Sequence, residues 1–328
     1  MADQKEIKRR IKSVKNIGQI TKALQLVSAV KMKQSQEALH NARIYFGLLE
    51  DNFLAITRDM DQDTLESLLR GEEMKKKDAI TKTALIVISP SKGFAGPLIS
   101  NLTKKTVEFL ENREQNTDYI YDEFIVYTET EEGRDALSKA TDTENQKVDI
   151  KLITVDKKSK DMAIRLHKEV IADFPTLHVP PTFGDVTPMI SIMLDAYKAG
   201  TIDEVYLVYT HFINTFQQNA VLKKLLPLSK KKKYIAKKTE KDEEAWYSYS
   251  STKQELFTSM YPAYLESELF HAALDAVAAE HSARMLAMQK ATDNAKDIRR
   301  ELTLEYNQKR QAAITQEIAE ITSAADAV

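Results

Sequence analysis

After Pro262 the chain contains neither proline nor glycine, so nothing between Ala263 and Val328 obliges a helix to stop. Ala, Leu, Glu, Gln, Lys, Arg and Met, the strong helix formers, dominate this stretch. At about 1.5 Å of rise per residue a continuous helix of that length spans roughly 100 Å. No ordinary domain core covers such a rod, so its partner must be another long helix or another molecule.

The apolar positions of the rod recur at intervals of three and four. They are Leu265, Leu269, Ala272, Ala276, Ala279, Ala283 and Leu286, then Ile298, Leu302, Tyr306, Ala313, Ile314, Ile318 and Ile321. That is the spacing of a coiled-coil stripe, and its alanines let a partner backbone come close. The other end of the chain offers the partner. Ile7, Ile11, Val14, Ile17, Ile20, Leu24, Val27, Val30, Leu39, Ala42, Leu49, Phe53 and Ile56 keep a similar spacing, with no proline before Pro90 and only Gly18 and Gly47 as weak points. Two long helices at opposite ends of one chain pair most simply as an antiparallel hairpin. The first, of about 55 residues, reaches roughly 80 Å, so the end of the second should project beyond it with an uncovered apolar face. Such a face implies a second protein wrapped around the tip.

Between the helices the period changes. Thr83 to Ser89, TALIVIS, is a β-branched run of strand length, followed by a turn from Pro90 to Gly96 and a helix from about Leu98 to Asn112. A strand FIVYT near 124–128, a short helix near 134–140, a strand VDIKLITV ending at Val155 and a helix from about Ser159 to Asp173 come next. A helix from Asp185 to Ala199 precedes two long strands, Glu204–Asn214 and Phe216–Leu228, joined at Asn214-Thr215. The fold class expected is α/β plus coiled coil: a long antiparallel two-helix coiled coil with an inserted Rossmann-like α/β domain. The boundaries expected are a coiled-coil helix over 1–60, a connection over 61–82, the α/β domain over 83–228, a lysine-rich loop and aromatic stretch over 229–251, and a helix over 252–328 that stumbles at Pro262.

Composition excludes several functions. Net charge is −2, so bulk electrostatics do not direct the molecule to nucleic acid. Charge is patterned, however, and Lys5, Lys8, Arg9, Arg10, Lys12 and Lys15 make the first turns basic, which suits an acidic surface nearby. The absence of cysteine removes disulfides, thiol nucleophiles and thiolate metal sites, and suits a reducing, cytoplasmic compartment. No run approaches the ~18 apolar residues of a membrane span. Membrane association is expected only through partners.

An α/β segment invites an enzyme reading, but the motifs do not supply one. SPSKGFAGP, 89–97, lies where a phosphate-cradling loop would sit, yet it matches neither GxGxxG nor a P-loop, and Pro97 has no N–H to offer. The six histidines, His40, His167, His178, His211, His271 and His281, lack HxxxH and HxxEH spacing, and no G-x-S-x-G elbow presents a serine. No catalytic residue, cofactor site or metal site is expected. The lysine run from Lys230 to Lys233 reads as a solvated loop.

IKRRIKSVKNIGQITKALQLVSAVKMKQSQEALHNARIYF (7–46) closely resembles the N-terminal helix of the gamma subunit of F-type ATP synthase. SARMLAMQKATDNAKDIRRELTLEYNQKRQAAITQEIAEITSAADAV (282–328) resembles that family's C-terminal helix, and SKGFAGPLISNL, VYTHFIN and KKLLPL agree in order between them. The resemblance implies a non-catalytic central shaft of the proton-translocating complex. Its sleeve would be three alternating alpha and beta subunits, and its foot would rest with the epsilon subunit on the membrane c ring. Residue by residue, it nominates Arg310, Gln311 and Thr315 in KRQAAITQE, Arg284 in SARM and Leu24 in ITKAL for contact with or coupling to the beta subunits. It nominates Tyr247 and Tyr249 for the foot facing the c ring.

The turn departs from the family pattern, in which Asp-Arg-Gly precedes a glycine pair; here Ser91-Lys92-Gly93 precedes Ala95-Gly96-Pro97. The cysteine pair of chloroplast relatives is absent. With no transit peptide, the expectation is a bacterial subunit, peripheral on the cytoplasmic face of the cell membrane. The alternatives are a free-standing coiled-coil scaffold with an α/β head, and a nucleotide-binding α/β enzyme with helical arms.

Overall fold

The computed structural model describes residues 2–57, 60, 62–70, 80–114, 147–227 and 252–325. The terminal segments form helices α1 (Ala2–Thr57) and α6 (Lys253–Ala325), which run antiparallel. Gln4 Nε2 donates to the carbonyl of Lys309 at 3.1 Å near one end, and Phe53 stacks on Tyr264 at 4.3 Å between ring centroids near the other. Pro262 lies inside α6, which continues through it rather than breaking there. A proline inside a helix costs about 3 kcal/mol. Phe257, Tyr261 and Tyr264, buried around Phe53, hold the turns on both sides of it.

The seam on α1 alternates spacings of four and three from Ile7 through Ile11, Val14, Gly18, Thr21, Gln25, Ser28, Met32 and Ser35 to Leu39, then through Ala42, Phe46 and Leu49 to Phe53 and Ile56. This corrects the apolar reading of the stripe. Ile17, Ile20, Leu24, Val27 and Val30 lie off the seam and are 39–60% exposed. Small and polar residues take the inner positions because the helices approach closely there: a Cβ on Gly18 would stand 3.5 Å from that of Ala295. On α6, Ile298 is likewise exposed, while Met288, Thr292 and Ala295 are buried.

Between the long helices lie α2 (Gln62–Arg70), β1 (Ile80–Ile88), α3 (Leu98–Glu114), β2 (Lys147–Val155), α4 (Lys157–Arg165), β3 (Val170–Phe174), α5 (Phe183–Lys198), β4 (Glu204–Phe212) and β5 (Gln218–Leu226). The strands form one sheet in the order β3-β2-β1-β4-β5, parallel except for β5. β1 is buried on both faces: Leu85 and Val87 meet α3 and α4, while Ala84, Ile86 and Ile88 meet the side of α5 and α6. From Ser267 to Arg284 every residue of α6 except His271 is buried, because α1 covers one side and β4 the other.

The helix expected over 159–173 is two elements. α4 ends at Arg165, where Lys168 N–H bonds back to Ala163 and His167 takes a left-handed φ of 51°. VIADF then becomes β3, in keeping with its β-branched start. The strand expected near 124–128, the helix near 134–140, the lysine-rich loop, Tyr247 and Tyr249 lie outside the described residues.

Candidate functional site

α6 outruns its partner. Past the level of Ala2, two residues beyond the bond between Gln4 and Lys309, no described residue of α1 accompanies it, and Ile314, Ile318 and Ile321 are 47%, 57% and 69% exposed on the bare segment. Arg310 and Gln311, level with the first residues of α1, and Thr315, just beyond them, are also exposed, and Thr315 donates its hydroxyl to the carbonyl of Gln311 at 2.9 Å. Leu24 sits elsewhere. It lies three residues past Thr21, whose seam partner is Thr292, so it is roughly 32 Å along the axis from Arg310. There it shares an outward apolar face with Ile17, Ile20 and Val27. Lys5, Lys8, Arg9, Arg10, Lys12 and Lys15 are all exposed near the start of α1, with Arg10 paired to Glu6 at 2.6 Å.

Arg284 is buried rather than presented to a partner. Its guanidinium donates to the carbonyls of Lys92 and Gly93 at 3.1 and 3.2 Å and to Glu280 Oε1 at 2.5 Å. Glu280 in turn accepts the Ser91 N–H and hydroxyl, each at 3.1 Å. Two charged side chains of α6 thus grip the turn that departs from the family pattern. That turn carries Phe94 outward in a left-handed conformation, φ 62°, and 76% exposed. Sequence reasoning missed Glu280 because it reads as one more helical charge; its place four residues before Arg284 is the signal for the pair.

The interior here is charged. Asp156, at the end of β2, is pushed up to about 7, first by burial and then by the charge of Glu280. His281 is lowered to about 4 by burial, with Arg284 adding to the shift and Glu280 opposing it. These shifts describe packing inside the subunit. Among the described residues no cluster of three His, Cys, Asp or Glu side chains is arranged to hold a metal ion.

The place where an α/β sheet would bind a nucleotide is occupied by the chain itself. With β2 and β4 on opposite sides of β1, the topological switch point lies at the carboxyl ends of β1 and β4. Ala278, Ala279 and Ala283 of α6 pack there against Ala95, Leu98 and Phe212. Ser89, the first residue of the loop, spends its hydroxyl on the Val155 carbonyl and the Ser159 N–H. A separate cleft of about 300 Å³ between α1, α5 and α6 is lined mainly by Ala38, Ala42, Tyr45, Phe46, Phe183 and Phe270.

The protein-family model described as ATP synthase matches residues 3–328. The ATP synthase gamma chain of Roseiflexus sp. (strain RS-1) is 31% identical over 100% of this chain and 99% of its own length. That of Herpetosiphon aurantiacus is 35% identical, again over 100% of this chain and 99% of its own. The chain belongs to the ATP synthase gamma chain family. A gamma chain is a non-catalytic subunit of the synthase, and the filled switch point is the structural counterpart of that role. Two solved structures share the fold. The rotor of the Euglena gracilis mitochondrial ATP synthase in rotational state 1 has a TM-score of 0.52 at 15% identity, covering 95% of this chain and 99% of its own. A chain of the OSCP/F1/c-ring structure of that enzyme in rotational state 3 has a TM-score of 0.55 at 17% identity, covering 99% and 94%. Among the described residues no helix of this gamma chain is long and apolar enough to cross a membrane.

Proposed function

We propose that this gamma chain is the central rotor shaft of a proton-translocating F1Fo ATP synthase, carrying rotation of a membrane c ring to the catalytic beta subunits. The observation that carries the reading is the bare end of α6, an isolated amphipathic helix with Ile314, Ile318 and Ile321 uncovered. Each isoleucine fully covered by a partner contributes about 2 kcal/mol, so a surrounding sleeve of alpha and beta subunits has a driving force to close on it. Arg310, Gln311 and Thr315 then meet the beta subunits at the tip, and Leu24 meets them farther down the shaft. Arg284 acts through the turn it grips, since its own donors are committed inside the subunit.

The surface of the shaft is uneven. α1 shows an apolar outer face at Ile17, Ile20 and Leu24 and a basic one at Lys5, Lys8 and Lys12, so successive beta subunits meet different chemistry as the shaft turns. Differential contact energy of this kind is sufficient to shift each beta subunit between conformations. The foot, including Tyr247 and Tyr249, is assigned to the c ring with the epsilon subunit. The subunit is placed on the cytoplasmic face of a bacterial cell membrane.

Co-expression with alpha and beta subunits tests this reading. One gamma chain should co-elute with the assembled head. A chain that ignores both subunits and forms its own oligomer would support the scaffold alternative instead.

A further inference from the structure

Among the polar side chains in the buried part of α6, three recur at equal intervals. Glu268, Asp275 and Ser282 are seven residues apart, so they occupy one stripe and stand about 10 Å from one another along the axis. None is more than 4% exposed. All three face the β4–β5 hairpin. Glu268 takes the ammonium of Lys223 on β5 and the Tyr264 hydroxyl, the latter at 2.7 Å. Asp275 Oδ2 lies 2.6 Å from His211 Nδ1 near the end of β4. Ser282 donates its hydroxyl to the carbonyl of Thr215, in the hairpin turn, at 2.9 Å. Lys223, His211 and Thr215 succeed one another toward the hairpin tip, as their partners do along α6.

Such a ladder is a poor source of stability, since apolar residues of similar shape often serve a buried site as well or better than an ion pair. Its directionality is a different matter. Alanine packing against a sheet tolerates sliding and rotation because apolar contact has no preferred direction. Polar contacts fixed at three heights do not. Turning α6 by one residue, roughly 100°, would break all three together.

We infer that Glu268, Asp275 and Ser282 key the α/β layer to the axle, so that twist applied to the layer reaches α6 without slip. The inference rests on the rotor reading, in which the foot receives torque and the bare helical end delivers it. The three are positioning residues and act without touching a partner subunit.

The test uses the complete synthase reassembled in vesicles with a ladder variant of the gamma chain, Glu268→Leu with Lys223→Met, Asp275→Asn and Ser282→Ala. ATP hydrolysis and ATP-driven proton uptake are measured on the same vesicles. Hydrolysis should stay near that of the unaltered complex, while protons moved per ATP should fall severalfold. Equal pumping per ATP would overturn the ladder and leave the rotor reading standing, whereas an unaltered gamma chain that supports no pumping would remove the rotor reading itself. Because the chain has no cysteine, a removable bond separates loss of keying from misfolding. Thr215→Cys with Ser282→Cys, in the background of the other replacements, should restore coupling on oxidation and lose it on reduction. Failure of the oxidised form to assemble or to pump would overturn the proposal.

Discussion

The hydroxyls of Thr21 and Thr292 meet 2.7 Å apart in the seam between α1 and α6, both buried and 271 positions apart in the chain. Each also has a backbone carbonyl within its own helix, Gly18 for Thr21 at 3.2 Å and Met288 for Thr292 at 2.8 Å. One hydroxyl proton therefore crosses the seam while the other stays on its own helix, and this pair fixes the register where the neighbouring residues are too small and polar to do so. Thr21→Val or Thr292→Val should each cost about 1 kcal/mol, and the double variant should cost less than their sum. A double-mutant cycle by chemical denaturation of the purified chain checks this, and strict additivity would remove the coupling.

Phe53 is the apolar anchor at the other end of the hairpin, stacked on Tyr264 and flanked by Phe257 and Tyr261. Phe53→Ala should destabilise the chain by about 3–5 kcal/mol and loosen α6 around Pro262. Hydrogen exchange should then accelerate in α6 on both sides of the proline. Exchange confined to α1 would show that α6 holds this region without help.

The pH dependence of stability should carry two opposed contributions. Asp156 titrates near its ordinary 3.8 when unfolded and at about 7 when folded, so between those values the folded chain binds more proton and stability falls as pH rises. His281 does the reverse: with a folded value of about 4 against an ordinary 6.5, the unfolded chain binds more proton in that window and stability rises with pH. Asp156→Asn should remove the first slope and expose the second, giving a variant whose midpoint climbs from pH 4 to 6.5 and no longer declines toward 7. A curve parallel to that of the unaltered protein would contradict the placement of Asp156.

Gln311→Ala with Thr315→Ala should leave the free chain within about 0.5 kcal/mol of the original, because both side chains are exposed. Binding to an assembled alpha–beta head should weaken by about thirtyfold, as expected for two hydrogen bonds worth ~1 kcal/mol each. Titration calorimetry measures both arms, and unchanged affinity would take Gln311 and Thr315 off the contact surface.

The exposed basic start of α1 should make that same association sensitive to salt, since the Debye length shrinks to about 10 Å at 0.1 M. Affinity should fall as salt is raised, and reversing Lys8 and Lys12 to glutamate should flatten the dependence. An association indifferent to salt would assign the tip to apolar contact alone.

The bare end of α6 was legible because its cause is an absence: with no proline or glycine after Pro262, the helix could only outrun a shorter partner. The parallel sheet with its antiparallel edge was legible in TALIVIS and in the two long strands at 204–226. The seam was not. Counting apolar residues favoured Ile17, Ile20 and Val27, whereas the close approach at Gly18 and Ala295 selects Thr21, Ser28 and Ser35. The burial of Arg284 was equally hidden, because a helical arginine reads as exposed until the turn from Ser91 to Gly93 is folded against it. α4 and β3 merged into one expected helix because the left-handed stop falls on His167, a residue that does not announce one.

The most direct test of the shaft is to watch it turn. Ile164→Cys, on the exposed side of α4, places a single thiol for a probe on the α/β layer, with the alpha–beta head fixed to a surface. On addition of ATP the probe should rotate in one direction at a rate that follows hydrolysis. Sustained hydrolysis by the assembled head beneath a stationary probe would contradict the account.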